Sequence, residues 1–292
     1  MSDYILRATA ADGNARIFIA DAKETVEKAR SLHNTTPVAT AALGRTLIAA
    51  GIMGSMLKGK DDIVTLQIKG DGPLGGIVVT SDAAANVRGY VHNPFADIPE
   101  ANRGKLDVAK AIGKGTLSVA MDIGLKEPYT GQIELVSGEI AEDLAYYYAK
   151  SQQTPSSVGL GVLINTDCSV KKAGGFIVQL MPEATDEFIG KLEDNILKMP
   201  YITDLLDMEM TPYNILDIIL KDCKYQIVDK IPMQYKCNCS RERVERALIS
   251  LGINELKDIL EKEGEAKLFC NFCNTEYKFG SNEIKSLINK KS

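Results

Sequence analysis

Four cysteines near the C-terminal end of the sequence stand in two close pairs. The pattern is Cys237-Asn-Cys239, then 30 residues, then Cys270-Asn-Phe-Cys273. Zinc takes four ligands in a tetrahedron, and two turns that each supply two thiolates are a common way to provide them. We therefore predict one zinc ion per chain, bound by all four sulfurs.

The same cysteines have two competing interpretations. Permanent disulfides are disfavoured, because the six cysteines of a chain without a secretion signal are expected to be mostly reduced. A thioredoxin-like redox pair at Cys270 and Cys273 needs its CxxC at the start of a helix. Residues 274–279, NTEYKF, instead favour a strand. A metal-binding hairpin fits the sequence better.

A third hypothesis, which we favour, combines metal binding with redox chemistry. Four thiolates on one ion are easily oxidised, and each close pair could form a disulfide once the metal leaves. A module of about 60 residues has a marginal core of its own. Structural zinc contributes about 10–16 kcal/mol of apparent binding energy to the folding of such modules. Oxidation would therefore be converted into local unfolding.

The segment Gly70-Asp-Gly72-Pro-Leu-Gly75 matches the glycine pattern of dinucleotide-binding loops. That interpretation requires a helix after the glycines. Pro73 interrupts the turn, and residues 76–82, GIVVTSD, favour a strand, so we predict a glycine-rich hairpin. The sequence has no GxxxxGK[ST] phosphate loop and no GxSxG or HExxH motif. We expect neither ATP use nor enzymatic activity.

Several other reactive residue types stand alone. His33 and His92 are isolated in the first part of the chain, and we predict structural roles for both. Cys168 and Cys223 are predicted to be buried, unreactive thiols. The run Ser240–Arg246 alternates arginine with glutamate, which indicates a solvated helix face more than a nucleic-acid patch.

The composition is that of an ordinary globular protein, with 45% hydrophobic and 25% charged residues. A net charge of −5 argues against a general nucleic-acid coat. The first residues lack the basic and apolar regions of a signal peptide. The apolar stretch 37–57 contains Arg45, which would cost about 2.5–3.5 kcal/mol at a bilayer centre, so we predict a buried helix there. We expect no membrane association and a cytoplasmic location.

The composition and the predicted helices and strands divide the chain into three regions. Residues 1–181 mix strands and helices, which predicts an α/β first domain with a mostly antiparallel sheet and flanking helices. Residues 182–232 are acidic, rich in Leu, Ile and Met, and predict a helical, conformationally labile linker region. Residues 233–292 predict a small α+β module that carries the zinc and redox chemistry.

Helix starts can be predicted within these regions. Asp21, with Glu24 three positions later, has the form of a capping box. Ser137 is a candidate N-cap for a helix over the following residues. In the C-terminal module, Ser240 is predicted to cap a helix that ends at Gly252.

The segment CNCSRERVERALISLG followed by CNFC closely resembles the redox-regulated heat-shock chaperones, the 33 kDa chaperonins. The segments GSMLKGKDDIVTLQIKGDGPLGGIVV and AGGFIVQLMP resemble the first domain of that family, so the resemblance covers the whole chain. It implies an ATP-independent holdase of the cytoplasm, inactive while reduced and zinc-bound.

The resemblance also implies how the switch works. Oxidation would join Cys237 to Cys239 and Cys270 to Cys273, with release of zinc. The linker region would then loosen and expose apolar surface that captures unfolding client proteins, and the active species would be a homodimer. A Met- and Leu-rich surface of this kind adapts to many partners.

Two other functions remain open from the sequence. One is a zinc-ribbon-like nucleic-acid-binding regulator in which the cysteines are purely structural. The other is a thiol oxidoreductase located in the first domain. Neither accounts together for the CxC–CxxC pairing, the apolar middle region and the missing nucleotide site.

Overall fold

The computed structural model describes residues 2–10, 13–98 and 106–291. They form two compact units, residues 1–236 and residues 237–292. Residues 233–236, which the sequence places in the C-terminal module, lie in the first of these units. The division into three functional regions stays a prediction.

The first unit contains a five-stranded antiparallel sheet, here called sheet A. Its strands are β1 (Tyr4–Ala10), β2 (Ala15–Asp21), β8 (Ser156–Ile164), β9 (Val170–Leu180) and β10 (Tyr225–Pro232). Their spatial order is β10-β1-β2-β9-β8. Side chains alternate between the two faces, as the pleat requires: Ile17 and Ile19 of β2 face one side, whereas Phe18 and Ala20 face the other.

The first unit also contains a six-stranded sheet, here called sheet B. Its strands are β3 (Ile63–Gly70), β4 (Ile77–Asp82), β5 (Asn86–Val91), β6 (Gly115–Asp122), β7 (Tyr129–Glu134) and β11 (Gln234–Tyr235). They lie in the order β11-β5-β4-β3-β6-β7, and β11 pairs parallel with β5 while the other pairs are antiparallel. The prediction of a mixed fold with mostly antiparallel strand pairing and flanking helices is confirmed, with two sheets in place of the single sheet that was expected.

Helix α2 (Pro37–Ser55) packs between the two sheets. By length and composition it is apolar enough to cross a membrane, yet its apolar window is entirely buried within the fold. Arg45 is tolerated there because Glu139 accepts a hydrogen bond from its guanidinium at 2.7 Å. The prediction of a buried core helix is confirmed.

Helices α1 (Lys23–His33) and α3 (Val108–Ile112) pack against α2, whereas α4 (Ala141–Ser151) packs against β7 and β8. The predicted capping box at Asp21 is wrong, because Asp21 is still part of β2. The carboxylate of Asp3, in the chain just before β1, accepts the N–H groups of Glu24 and Thr25 instead. Burial, the largest effect, raises the pKa of Asp3 above its usual range.

The predicted N-cap of α4, Ser137, is also wrong. Ile140 occupies the N-cap position with φ 64°. The side chain of Asp143, in the first turn of the helix, accepts the N–H groups at the helix start. The buried carboxylate of Asp143 accepts the N–H groups of Val136 at 2.8 Å, Ser137 at 3.0 Å and Ile140 at 3.1 Å. A single carboxylate thus fixes the whole turn before the helix.

Replacing Asp143 is therefore expected to be costly. Asp143→Ala leaves several backbone donors without their acceptor, and each buried unpaired donor costs about 1–3 kcal/mol. We expect a loss of roughly 3 kcal/mol in the free energy of unfolding, measured by urea denaturation. Asp143→Asn keeps one acceptor oxygen and should lose less, and the neighbouring Glu142→Ala serves as the control. Equal stability of Asp143→Ala and Glu142→Ala would contradict this account.

The region 182–232 is helical only in part. It contains α5 (Asp186–Lys198), α6 (Ile202–Asp207) and α7 (Pro212–Ile219), as the prediction of a helical region requires, but its last eight residues form the strand β10. Strand β10 pairs with β1 at the edge of sheet A. β-Branched residues at Ile227, Val228 and Ile231 explain this preference for a strand.

The three helices α5, α6 and α7, here called the helical layer, cover one face of sheet A. The buried apolar side chains of this interface are Phe188, Leu192, Ile202, Leu205, Leu206, Ile215, Leu216 and Ile219 from the helices and Leu6, Ile17, Ile19, Phe176 and Val178 from the sheet. The opposite face of sheet A packs against α2. The region is thus held by a core that is separate from the one around α2.

The glycine-rich segment 70–75 forms the connection between β3 and β4. These strands pair antiparallel, from Ile63 opposite Asp82 to Ile68 opposite Ile77. Gly75 and Gly76 have φ values of 70° and 149°, which a glycine adopts at little cost. The predicted hairpin is confirmed, and no helix follows the glycines as a dinucleotide loop would require.

The second unit is built from two helices, a hairpin and a final helix. Its elements are α8 (Arg241–Leu251), α9 (Ile253–Lys262), β12 (Glu265–Phe269), β13 (Glu276–Gly280) and α10 (Ser281–Lys291). Ser240 caps α8 by accepting the N–H of Arg243, and Gly252 ends it with φ 104°, as predicted. The buried core of this unit is small and consists of Leu248, Leu256, Ala266, Phe279, Ile284 and Leu287.

Candidate metal centre

The first cysteine pair lies immediately before α8. Cys237 and Cys239 belong to a segment without regular secondary structure, which leads into the helix cap at Ser240. In a CxC pair the two cysteines stand only two positions apart. The fixed start of α8 therefore limits where both sulfurs can lie.

The second pair occupies the tip of the β12–β13 hairpin. The carbonyl of Cys270 accepts the N–H groups of Cys273 at 3.2 Å and Asn274 at 2.8 Å. The N–H of Cys270 donates to the carbonyl of Thr275 at 3.0 Å, which closes the turn. Asn274 has φ 54°, a left-handed conformation that asparagine tolerates better than most residues. The turn brings both sulfurs to one side of the hairpin.

The four sulfurs form one cluster. Cys237 Sγ lies 3.7 Å from Cys270 Sγ, and Cys239 Sγ lies 3.4 Å from Cys273 Sγ. All four lie within 4.8 Å of one another. A tetrahedral site with metal–sulfur bonds of about 2.3 Å has sulfur–sulfur separations of about 3.8 Å. The arrangement therefore fits a single metal ion that prefers soft thiolate ligands.

Two hydroxyl groups that the sequence did not single out contact this cluster. The phenol of Tyr277 donates to Cys239 Sγ at 3.1 Å, and Thr275 Oγ1 lies 3.1 Å from Cys273 Sγ. Thr275 lies just before β13 and Tyr277 lies within it, two positions apart, a spacing that puts side chains on one face of an extended chain. That spacing, directly after the CxxC pair, is the signal that could have identified the two hydroxyl groups.

The pKa values of the clustered thiols shift in different directions. Burial raises the pKa of Cys237 and of Cys270, because a thiolate loses its hydration there. Burial also raises the pKa of Cys273, but hydrogen bonds from Thr275 and from the neighbouring thiols outweigh it and lower that pKa to about 7. Four thiolates at these separations need a cation, since like charges oppose joint deprotonation.

The isolated residues lie elsewhere. His33 is buried, with Nε2 3.3 Å from the hydroxyl of Tyr235, and His92 stacks on Tyr90 with ring centroids 5.9 Å apart. The prediction that Cys168 is buried is wrong: it is exposed in the turn between β8 and β9. Cys223 is half-buried at the edge of the helical layer's core.

The arginine-rich start of α8 is mostly exposed, as predicted for a solvated face. Arg241 is also exposed, but it makes specific contacts within the module. Its guanidinium lies 4.3 Å from the centre of the Phe279 ring and donates to Glu283 at 2.6 Å and to the carbonyl of Lys278 at 2.8 Å. Arg241 therefore links α8 to β13 and α10 and supports the module that carries the cysteines.

Comparison with known proteins gives one consistent result. Residues 3–280 match the family model described as Hsp33 protein. Proteins named 33 kDa chaperonin from Lachnoclostridium phytofermentans and Ruminiclostridium cellulolyticum are 51% and 52% identical, over 99% of this chain and 99% and 98% of theirs. The crystal structure of the 33 kDa chaperonin from Thermotoga maritima superposes with a TM-score of 0.93 at 41% identity, covering 100% of this chain and 99% of that one.

Proposed function

The chain belongs to the Hsp33 family of chaperones, and from that premise we propose that it is a redox-regulated, ATP-independent holdase. The observation that carries the proposal is the cluster of four sulfurs in a unit whose own core is small. Such a unit depends on its metal for folding, so chemistry at the sulfurs controls whether it stays folded.

The proposal assigns one zinc ion to Cys237, Cys239, Cys270 and Cys273 in the reduced chain. Zinc is favoured over harder cations because all four donors are thiolates. When bound, zinc ties the segment before α8 to the tip of the β12–β13 hairpin. In this reduced state the chain would be inactive as a chaperone.

Oxidation by a peroxide would then break the site. A thiolate attacks the peroxide to give a sulfenic acid and hydroxide, and a neighbouring thiol displaces water to form a disulfide. Each disulfide removes two ligands, so the metal is lost. We propose Cys237–Cys239 and Cys270–Cys273 as the final disulfides.

In the folded cluster, sulfurs from different pairs lie close together, Cys237 with Cys270 at 3.7 Å and Cys239 with Cys273 at 3.4 Å. Chain connectivity nevertheless supports pairing within the CxC and the CxxC. Once the module opens, cysteines two or three positions apart remain tethered, whereas those more than 30 positions apart separate. Closing a short loop also costs less conformational entropy. Peptide mapping of the oxidised chain distinguishes the two connectivities.

Client binding is assigned to the helical layer and the face of sheet A beneath it. This part of the chain already exposes apolar side chains, among them Leu197 on α5 and Tyr201 and Met208 at the two ends of α6. Loosening the layer would add the buried side chains on both sides of its interface to the exposed surface. Large exposed apolar patches are the usual mark of protein-binding surfaces. The proposed regions are thus residues 1–181 as scaffold, 182–232 as labile linker and 233–292 as switch.

Membership of the family also suggests the partners of the protein and its location. Unfolding client proteins are the expected partners, and the active form is expected to be a homodimer in the cytoplasm. ATP, nucleic acids and membranes have no part in it. Salt-dependent binding of DNA or RNA by the reduced, zinc-loaded chain would instead favour the zinc-ribbon-like regulator.

One experiment tests the proposal directly. Zinc content and suppression of client aggregation are measured on the same sample, before and after peroxide, at a temperature that mildly destabilises the client. We expect one zinc per chain before oxidation, loss of zinc afterwards and a matching gain in protection. Retained zinc, or zinc loss without protection, would contradict the switch.

A further inference from the structure

We propose that Tyr277 and Thr275 are positioning residues of the metal centre, whose hydroxyl groups set how readily the sulfurs are oxidised. This inference rests on the proposed function for its biological meaning. Its physical basis is independent and consists of two hydrogen bonds, one to a sulfur of each cysteine pair.

The direction of both hydrogen bonds follows from the chemistry of a metal-bound thiolate. A thiolate has no proton and can only accept, so the phenol of Tyr277 donates to Cys239 and the hydroxyl of Thr275 donates to Cys273. Tyr277 lies on β13, whereas Cys239 precedes α8, 38 positions earlier in the chain. This hydrogen bond therefore fixes the CxC segment to the hairpin as well as affecting its sulfur.

Three of the sulfurs also accept backbone N–H groups. The thiolate of Cys237 accepts the N–H of Cys239, that of Cys270 accepts the N–H groups of Phe272 and Cys273, and that of Cys273 accepts the N–H of Thr275. Those donors belong to the turns themselves and are present whatever the side chains are. The two hydroxyl groups, by contrast, belong to the side chains of Thr275 and Tyr277. Substitution can therefore remove them without changing the backbone donors.

A hydrogen bond to a thiolate makes the metal site more resistant to oxidation in two ways. It orients the ligand, which strengthens metal binding, since outer partners of metal ligands are typically worth 10–100-fold in affinity. It also withdraws electron density from sulfur, which slows attack on the peroxide O–O bond. Tyr277 and Thr275 thus raise the threshold at which peroxide converts a thiolate to a sulfenic acid and starts disulfide formation.

The test uses the full-length chain with Cys168→Ser and Cys223→Ser, so that only the four clustered cysteines can react. Tyr277→Phe and Thr275→Val each remove a hydroxyl and keep the side chain's shape. Ser250→Ala is the matched control, because Ser250 donates to the carbonyl of Ala247 in the same unit and contacts no sulfur. Three quantities are measured: zinc affinity by chelator competition, the sulfur-to-cobalt charge-transfer band of the cobalt-loaded chain, and the rate of zinc release by hydrogen peroxide.

We expect each of the two variants to bind zinc about 10–100-fold more weakly than the control. The charge-transfer band should move to lower energy, because a thiolate without its hydrogen bond holds its electrons less tightly. Zinc release by peroxide should be several-fold faster.

A variant that matches Ser250→Ala in band position and in release rate overturns the proposal for that hydroxyl. The same holds if only the zinc affinity falls, since a loss of packing alone would do that. None of these measurements needs a client protein. If the oxidised parent chain fails to protect clients, the proposed function falls while the two hydrogen bonds are still tested.

Discussion

Removing zinc from the reduced chain is expected to unfold residues 237–292 while residues 1–236 keep their structure. Among the described residues of the second unit, six apolar side chains form the buried core, around Phe279 and Leu256. A core of this size supplies little net stability, whereas structural zinc contributes about 10–16 kcal/mol. Loss of the metal therefore removes the largest favourable contribution to the folding of this unit.

We expect the first unit to fold without the metal. Its core around α2 and its second core beneath the helical layer are both extensive and contain none of the four clustered cysteines. Hydrogen exchange followed by mass spectrometry, with and without a strong chelator, separates the two units. We expect amide protection to disappear in α8, α9 and the β12–β13 hairpin and to persist in α2 and β3.

Matched cysteine variants sharpen this test. Cys273→Ser removes one thiolate of the cluster and should reproduce the effect of the chelator at moderate zinc concentration. Cys168→Ser changes an exposed thiol in the β8–β9 turn and should leave both units protected. A chelator that strips the metal and leaves the second unit fully protected would show that its core suffices, and would remove the physical basis of the switch.

Local chemistry made the cluster of four cysteines predictable from the sequence. The CxC and CxxC spacings, the strand-forming residues after Cys273 and the stop at Gly252 are all short-range signals, and the structure places them as expected. The helix α2 could be predicted for the same reason, because Arg45 within an apolar run of small residues excludes a simple membrane span.

Interactions between residues far apart in the chain could not be predicted from the sequence. Asp3 caps α1 from the chain before β1, about 20 positions away, so the local capping-box pattern at Asp21 was misleading. Strand β10 exists because β1 offers it an edge to pair with. Tyr277 reaches Cys239 across 38 positions. In each case the stabilising partner is supplied by the tertiary fold, and local propensity carries no information about it.

Replacing Leu216 with alanine is expected to give client protection without any oxidant. Leu216 is 0% exposed within the core that joins the helical layer to sheet A. Truncating a buried leucine costs about 2–5 kcal/mol through lost contacts and a residual cavity. Because the side chain belongs to α7, much of this cost should appear as easier local opening of the helical layer.

The matched control is Leu197→Ala, since Leu197 lies on α5 of the same layer but is 82% exposed. Both variants are compared in the reduced, zinc-loaded state. Hydrogen exchange reports the opening of α5–α7 relative to α2, and client aggregation reports function. Leu216→Ala should show faster exchange in the layer together with protection, and Leu197→Ala neither.

The two readouts in this comparison separate two links of the mechanism. If the layer of Leu216→Ala opens and clients still aggregate, the surface under the helical layer is not where clients bind. If the layer opens and clients are protected while the second unit keeps its zinc, the switch acts only by controlling access to that surface. The sulfur chemistry would then be the trigger, and the apolar interface between α7 and sheet A would be the part of the fold that performs the chaperone function.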